Sequence, residues 1–164
     1  MRSLIWGLVL SVLLGSPASA ETVNGMVQAV FDGDTVLLVS NSGRMKVRLY
    51  GVDAPETAKK GQRGQPFGGQ SKRVLMYKVM GRVVTADIQE KDQYGRAVAV
   101  VKLSGRDINA EMVSEGMAWA YRRYLSGPYA SEYIGLEERA RKQHRGLWRD
   151  GNPRPPWEFR KQSR

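Results

Sequence analysis

The chain has 164 residues with no cysteine and one histidine, which excludes disulfides and thiolate metal sites and argues against a zinc site built from several such ligands. Its 26 lysines and arginines outnumber 16 aspartates and glutamates, which gives a formal net charge of +10. So basic a chain is expected to bind a polyanion, such as nucleic acid, an acidic polymer or anionic lipid, and charge alone does not choose among them.

The first 20 residues have the order of a secretory signal peptide. Arg2 supplies a positive charge, residues 4–14 are almost entirely apolar, and Ala18 and Ala20 provide the small residues of a cleavage site. The apolar run is short for a membrane span. We therefore expect residues 1–20 to be removed after Ala20 and the protein to be secreted or periplasmic. An uncleaved membrane anchor is the alternative.

Three strands are predicted in the first part of the remaining chain. Residues 23–31 and 35–39 are rich in apolar and β-branched side chains and flank the turn sequence Asp32-Gly33, which is a strong hairpin signal. Residues 45–50 alternate apolar and polar side chains, as in a strand with one face in water. We interpret Asp32 as a turn residue.

A helix, two strands and two further helices are predicted in the rest of the chain. Apolar spacing and turn residues place these elements at residues 70–80, 82–88, 96–103, 108–114 and 128–143. Residues 150–164 contain three prolines and are predicted to form an extended, basic tail that packs through Trp148 and Trp157. The folded domain is therefore expected to span residues 21–149.

This order of elements favours an OB-fold. Five strands with a helix between the third and the fourth match this small Greek-key barrel, whose surface commonly receives oligonucleotides. The predicted fold class is α+β, a five-stranded barrel with about three α-helices. An SH3-like barrel and an open α+β sheet are the alternatives.

Acidic residues are predicted to gather at one end of the barrel. Asp34 opens the second strand, Arg48 lies near the end of the third, and Asp53 and Glu56 follow it. If these strands pair antiparallel, the start of one lies beside the end of the other. Crowded carboxylates repel one another by several kcal/mol, so a positive partner is expected. Ca²⁺ suits oxygen ligands and irregular geometry, and we expect Asp34, Asp53 and a backbone carbonyl near Ala54 to bind it.

Two arginines complete a predicted site for phosphodiester chemistry. Arg48 and Arg96 carry guanidinium groups, which hold a phosphate by paired hydrogen bonds in a way that lysine does not reproduce. Glu56 is then available to orient or deprotonate an attacking water. These residue types together predict metal-assisted phosphodiester hydrolysis.

Three motifs resemble the staphylococcal nuclease (thermonuclease) family in their order and spacing. They are DGDTV at residues 32–36, RLYGVDAPET at residues 48–57 and KDQYGRAVA at residues 91–99. The resemblance covers residues 23–148. It implies an OB-fold endonuclease that depends on Ca²⁺, cuts DNA and RNA with little sequence preference and leaves 3′-phosphate ends.

The resemblance also implies roles for individual residues. It makes metal ligands of Asp34, Asp53 and the Ala54 carbonyl, and catalytic residues of Arg48, Glu56 and Arg96. Ala54 stands where the family often has threonine, and a backbone oxygen tolerates that change. Tyr94 would contact the terminal phosphate of the substrate. Near the rim this chain has Arg122 and Tyr124 in place of an aromatic pair, and Tyr124 is a candidate substrate contact.

The leading hypothesis is a monomeric, exported nuclease whose partners are its DNA and RNA substrates. A non-catalytic OB-fold module that only binds nucleic acid is the first alternative, although it has no need for the three carboxylates. A basic cell-envelope protein bound to an acidic polymer or lipid is the second.

Overall fold

The computed structural model describes residues 21–162, which form eight β-strands, four α-helices and two short 3-10 helices. The strands are β1 (Glu21–Asp32), β2 (Thr35–Ser40), β3 (Gly43–Leu49), β4 (Val52–Asp53), β5 (Val83–Lys91), β6 (Ala97–Leu103), β7 (Arg106–Asp107) and β8 (Trp119–Ala120). The α-helices are α1 (Gly68–Val79), α2 (Ile108–Ser114), α3 (Gly127–Lys142) and α4 (Pro156–Gln162), and the 3-10 helices are Arg122–Tyr124 and Gly146–Arg149. The predicted signal peptide, residues 1–20, lies outside the described residues.

Five of the strands close into a barrel. Along the sheet the order is β3-β2-β1-β5-β6, with β7 added beside β6, and β3 also pairs with β6 in parallel. This last pairing joins the two edges of the five-stranded sheet, so the open-sheet alternative is wrong. The predicted α+β OB-fold is confirmed, with four α-helices where about three were expected.

The turn between β1 and β2 packs against α1. Asp32 pairs with Thr35 across this turn, and a Cβ atom on Gly33 would lie 1.8 Å from Ser71 Oγ. Only glycine therefore fits between the turn and the helix. Ser71 is buried and donates a hydrogen bond to the Met117 carbonyl at 2.7 Å. These contacts fix the end of the barrel at which the acidic residues were predicted to gather.

The main hydrophobic core fills the barrel and continues beneath the helices. Buried apolar residues of the five barrel strands pack with Leu75 of α1 and with Ile108 and Met112 of α2. Full burial of each such side chain contributes about 1.5–3 kcal/mol to the free energy of folding. Within residues 21–162, none of the helices is both long and apolar enough to cross a membrane.

The C-terminal tail is helical over part of the segment that was predicted to be extended. The α4 helix begins at Pro156, which a first helical turn tolerates because the missing N–H has no partner within the helix. Trp157 packs against a second hydrophobic cluster that contains Trp119, Leu147 and Trp148. Partial burial of this aromatic side chain stabilises the ordered tail, and the predicted packing through Trp148 and Trp157 is confirmed. The prediction of an extended chain is therefore wrong for residues 156–162.

Candidate active site

The register of β2 and β3 holds Asp34 at the mouth of the barrel. Thr35, the next residue, lies opposite Arg48, and the Leu49 amide donates to the Asp34 carbonyl at 2.8 Å. Asp34 is only 3% exposed, and its carboxylate accepts hydrogen bonds from Thr35 Oγ1 at 2.8 Å and from the Ala54 amide at 3.1 Å. Asp34 is therefore a buried acceptor and not a solvated turn residue.

Arg48 bridges the two aspartates that were predicted to bind a metal. Its Nη1 atom lies 3.1 Å from Asp34 Oδ2, and its Nη2 atom lies 2.7 Å from Asp53 Oδ1. Asp53 is fully buried in β4, which pairs with β8. The structure brings these three residues together, and their roles as ligands and catalyst stay predictions.

A second guanidinium group, which the sequence did not lead us to expect, reaches Asp53 and Glu56 from α4. Arg160 Nη2 lies 2.8 Å from Asp53 Oδ2, and Arg160 Nη1 lies 3.1 Å from Asp53 Oδ1 and 2.8 Å from Glu56 Oε1. Arg160 is 104 residues beyond Glu56, in a segment predicted to be extended, so spacing gave no reason to connect them. The available signal was Trp157, a large apolar side chain close before Arg160 in a basic tail.

The pKa values of the acidic residues shift in different directions because burial and arginine contacts oppose each other. Burial acts to raise the pKa of Asp34, but Arg48 and several hydrogen bonds outweigh it and hold that pKa below its usual range. At Asp53 burial prevails and the pKa is raised, despite hydrogen bonds from Arg160. Burial and the neighbouring Asp34 carboxylate raise the pKa of Asp32 to about 7. Both raised pKa values have the same two causes, which are burial of the carboxyl group and the nearby negative charge of Asp34.

One cleft of about 440 Å³ contains nearly all of the predicted site residues. Its lining includes Asp34, Arg48, Ala54, Glu56, Tyr94, Arg96 and Tyr124, together with Asp32, Tyr121 and Arg160. Asp53 lies behind this lining, where it is fully buried. A phosphodiester in the cleft would face arginine, glutamate and tyrosine side chains at once.

Arg96 enters the cleft from the turn that precedes β6. Its Nε atom donates to Asp92 Oδ2 at 2.6 Å, and its guanidinium carbon lies 5.4 Å from the centre of the Tyr94 ring. These contacts orient the guanidinium group before any ligand arrives. Tyr94 is 70% exposed and Tyr124 is 49% exposed, so both rings are accessible to a substrate in the cleft.

The donor atoms of the cleft suit a hard cation, but they are already engaged. Carboxylate oxygens such as those of Asp34, Asp53 and Glu56 are the ligands that Ca²⁺ takes. Among residues 21–162, no three acidic, histidine or cysteine side chains already surround a common point as in a metal centre. Arg48 pairs with both aspartates, and Arg160 pairs with Asp53 and Glu56. The residue types fit the cation, and arginine side chains contact the carboxylates in this structure.

Residues 46–150 match the family model described as staphylococcal nuclease homologue. The chain belongs to the staphylococcal nuclease family. Its assignment as a phosphodiester hydrolase, predicted from the motifs, is thereby confirmed. The matched range contains Arg48, Asp53, Glu56 and Arg96, whereas Asp34 precedes it.

Relatives with nuclease names are similar to this chain over most of its length. Micrococcal nuclease of Shigella flexneri is 36% identical over 162 residues, which cover 93% of this chain and 88% of that protein. An uncharacterized endonuclease of Haemophilus influenzae is 36% identical over 164 residues, which cover 99% of this chain and 87% of that protein. An uncharacterized endonuclease of Escherichia coli O157:H7 is 34% identical over 145 residues, which cover 88% of this chain and 89% of that protein. The similarity therefore extends well beyond the three motifs.

Proposed function

We propose that the protein is a Ca²⁺-dependent endonuclease that hydrolyses DNA and RNA with low sequence specificity and leaves 3′-phosphate ends. The observation that carries this proposal is the cleft in which Arg48, Arg96 and Glu56 face the same space beside Asp34. Membership of the staphylococcal nuclease family supports the class of reaction. The net charge of +10 supports a polyanionic substrate.

Arg48 and Arg96 bind the scissile phosphate in this proposal. A guanidinium group presents paired donors to phosphoryl oxygens. Negative charge grows on those oxygens towards the transition state, so the contacts strengthen as the reaction proceeds. Arg48 is anchored by Asp34 and Asp53, and Arg96 is anchored by Asp92. This anchoring supports the proposal because neither side chain has to be ordered during the reaction.

Glu56 orients and deprotonates the attacking water. The water oxygen forms a bond to phosphorus, the 5′ P–O bond breaks, and the leaving 5′ oxygen takes up a proton from solvent. The phosphate stays on the 3′ side of the cut. The exposed ring of Tyr94 contacts the terminal phosphate of the substrate, and the exposed ring of Tyr124 is a further substrate contact.

The proposed cation site uses oxygen atoms alone. Asp34, Asp53 and the backbone carbonyl of Ala54 would hold Ca²⁺. When bound, the cation supplies Lewis-acid polarisation of a phosphoryl oxygen. The shared contact of both aspartates with Arg48 supports this assignment, because it shows that their oxygens lie close together.

A digest with and without a chelator tests the proposed function. The purified protein is incubated with plasmid DNA and with single-stranded RNA in Ca²⁺ or in EDTA, and the ends of short products are identified by mass spectrometry. We expect fragments with 3′-phosphate ends in Ca²⁺ and intact substrate in EDTA. Binding of nucleic acid in Ca²⁺ without cleavage would favour the non-catalytic OB-fold module. Retention on an acidic polymer or lipid that excess DNA does not displace would favour the envelope protein.

We also propose that residues 1–20 direct export and are cleaved after Ala20. Glu21, the residue that cleavage would expose, pairs with Ile88 in the sheet. N-terminal sequencing of the protein recovered from periplasm or medium should begin at Glu21. A full-length chain in the membrane fraction would favour the uncleaved anchor.

We propose that the protein is a monomer, and light scattering after size-exclusion chromatography should give the mass of one chain.

A further inference from the structure

The position of Arg160 is set by the packing of α4 and not by a loose tail. The Trp157 ring is parallel to the Tyr121 ring, with 5.1 Å between centroids and 4° between planes, and meets Trp119 edge-on at 5.5 Å. Before the helix, the Gln65 side chain donates to the Arg154 carbonyl. These contacts hold α4 against the barrel. Arg160 lies three residues, or about one helical turn, after Trp157, which directs its side chain to the carboxylates.

Arg160 makes three hydrogen bonds to two carboxylates, which is more than a typical surface ion pair makes. It contacts both oxygens of Asp53 and one oxygen of Glu56, at 2.8–3.1 Å. Asp53 is fully buried, and the Arg160 side chain is 35% exposed. A guanidinium group that takes both oxygens of a buried carboxylate forms a strong, charge-assisted pair. While this pair persists, Asp53 Oδ1 accepts from both Arg48 and Arg160, and Asp53 Oδ2 accepts from Arg160.

The balance of charge among these carboxylates and arginines also favours replacement of Arg160 by a divalent cation. The negative groups that arginines contact are Asp34, Asp53 and Glu56, and the arginines are Arg48 and Arg160. Lys59 lies 3.6 Å from Glu56 Oε2 and Asp32 lies beside Asp34, so these two further groups offset each other when Asp32 is ionised. Adding a divalent cation to this set gives an excess of positive charge. Replacing Arg160 by the divalent cation leaves the cluster neutral, which is the more favourable arrangement for buried groups.

We propose that Arg160 is a tethered counter-ion of the cation site, which pairs with Asp53 and Glu56 in the absence of metal and is displaced from Asp53 when a divalent cation binds. This inference rests on the proposed function, because it assumes a cation at these carboxylates. Binding of the cation and docking of the Arg160 side chain are then mutually exclusive at Asp53. The apparent affinity for the cation is reduced by the fraction of molecules in which Arg160 is docked.

A binding titration without nucleic acid tests this competition independently of catalysis. The full chain and three variants are titrated with Ca²⁺ by calorimetry and with Tb³⁺ by luminescence. Arg160→Gln removes the counter-ion, and Arg160→Lys keeps the charge but loses the planar pair of donors. Lys161→Gln is the matched control, because it removes one positive charge from the next position of α4 without touching the carboxylates. Thermal unfolding shows that each variant is folded under the conditions of the titration.

We expect Arg160→Gln to bind the cation about tenfold more tightly than the Lys161→Gln control, within the range of ordinary coupling between sites. Arg160→Lys should bind with an affinity between those of Arg160→Gln and wild type. Equal or weaker binding by Arg160→Gln relative to the control would overturn the competition and leave the proposed cation site in place. An absence of saturable binding in all four proteins would overturn both the competition and the Ca²⁺ dependence.

Discussion

Arg48 contacts both Asp34 and Asp53, and neither aspartate has appreciable access to solvent. Removal of a positive partner from a buried ion pair leaves an uncompensated charge, which is more destabilising than the pair itself is stabilising. The residue that faces the cleft as a phosphate ligand is therefore also a structural residue. At this position a loss of cleavage does not by itself report on catalysis.

We predict that Arg48→Ala lowers the free energy of unfolding by about 3 kcal/mol, at the low end for a broken buried pair because Arg160 still contacts Asp53. Urea denaturation measures this change, and Arg44→Ala, which removes an exposed arginine from the same strand, is the control. Unfolding of Arg48→Ala at the wild-type urea midpoint would show that the two aspartates do not depend on Arg48.

At the scale of secondary-structure elements, one asparagine joins α2 to the barrel. Asn109 is fully buried, and its Nδ2 atom donates to the carbonyls of Tyr50 and Ala99, each at 3.0 Å. Its Oδ1 atom accepts from the Val101 amide at 3.0 Å. These bonds satisfy backbone groups where β6 passes beneath the helix. The predicted helix at residues 108–114 is confirmed, but its apolar pattern gave no sign of this polar junction.

We predict that Asn109→Ala lowers the free energy of unfolding by about 2–4 kcal/mol, because the Tyr50 carbonyl and the Val101 amide lose their bonds to Asn109 and each such loss costs about 1–3 kcal/mol. The Ala99 carbonyl keeps its bond from the Tyr50 amide at 2.7 Å. Asn152→Ala, at an exposed position, is the control and should change stability by less than about 0.5 kcal/mol. Similar urea midpoints for the two variants would contradict the proposed junction.

A second element, α3, carries an ion pair whose burial the sequence does not reveal. The four-residue spacing of Glu137 and Arg141 predicts their pairing, which the structure confirms. Glu137 is nevertheless fully buried, because Arg141 lies 4.1 Å from the centre of the Trp148 ring and Arg122 donates to Glu137 Oε2 at 2.7 Å. Arg122 is therefore anchored to α3 and does not line the cleft, whereas Tyr124 does.

At the scale of the whole molecule, what spacing and strand pairing predicted was local, whereas Arg96 was assigned to the site by its residue type and, with Tyr94 and Tyr124, by the family resemblance. The hairpin, β3 and the neighbouring Asp34, Arg48 and Asp53 follow from patterns within about 20 residues, because adjacent strands place their ends together. The contact of Arg160 with Glu56 spans 104 residues and depends on how Trp157 packs. No periodicity encodes such a contact, so the part of the site supplied by the tail was missed.

The net charge of the molecule predicts salt-dependent binding. In EDTA, which is expected to prevent cleavage, the affinity for a single-stranded oligonucleotide should fall about twentyfold between 50 and 200 mM salt if about three phosphates are contacted. Fluorescence anisotropy measures this change. A basic protein of unrelated fold, such as lysozyme, is the control for attraction by charge alone. Affinity that does not change with salt would contradict a surface that binds the phosphate backbone.

Arg96 offers the most direct test of phosphodiester hydrolysis in the cleft, because it faces the cleft and is not the partner of a buried carboxylate. Its partner Asp92 is partly exposed, so Arg96→Ala should change stability by less than about 1 kcal/mol. The measurement is the initial rate of plasmid cleavage in Ca²⁺, with Arg106→Ala, at an exposed position outside the cleft, as the control. We predict that Arg96→Ala reduces the rate by about 10³-fold or more while the control keeps it. A folded Arg96→Ala protein that cleaves at the wild-type rate would contradict the role of the cleft in phosphodiester hydrolysis.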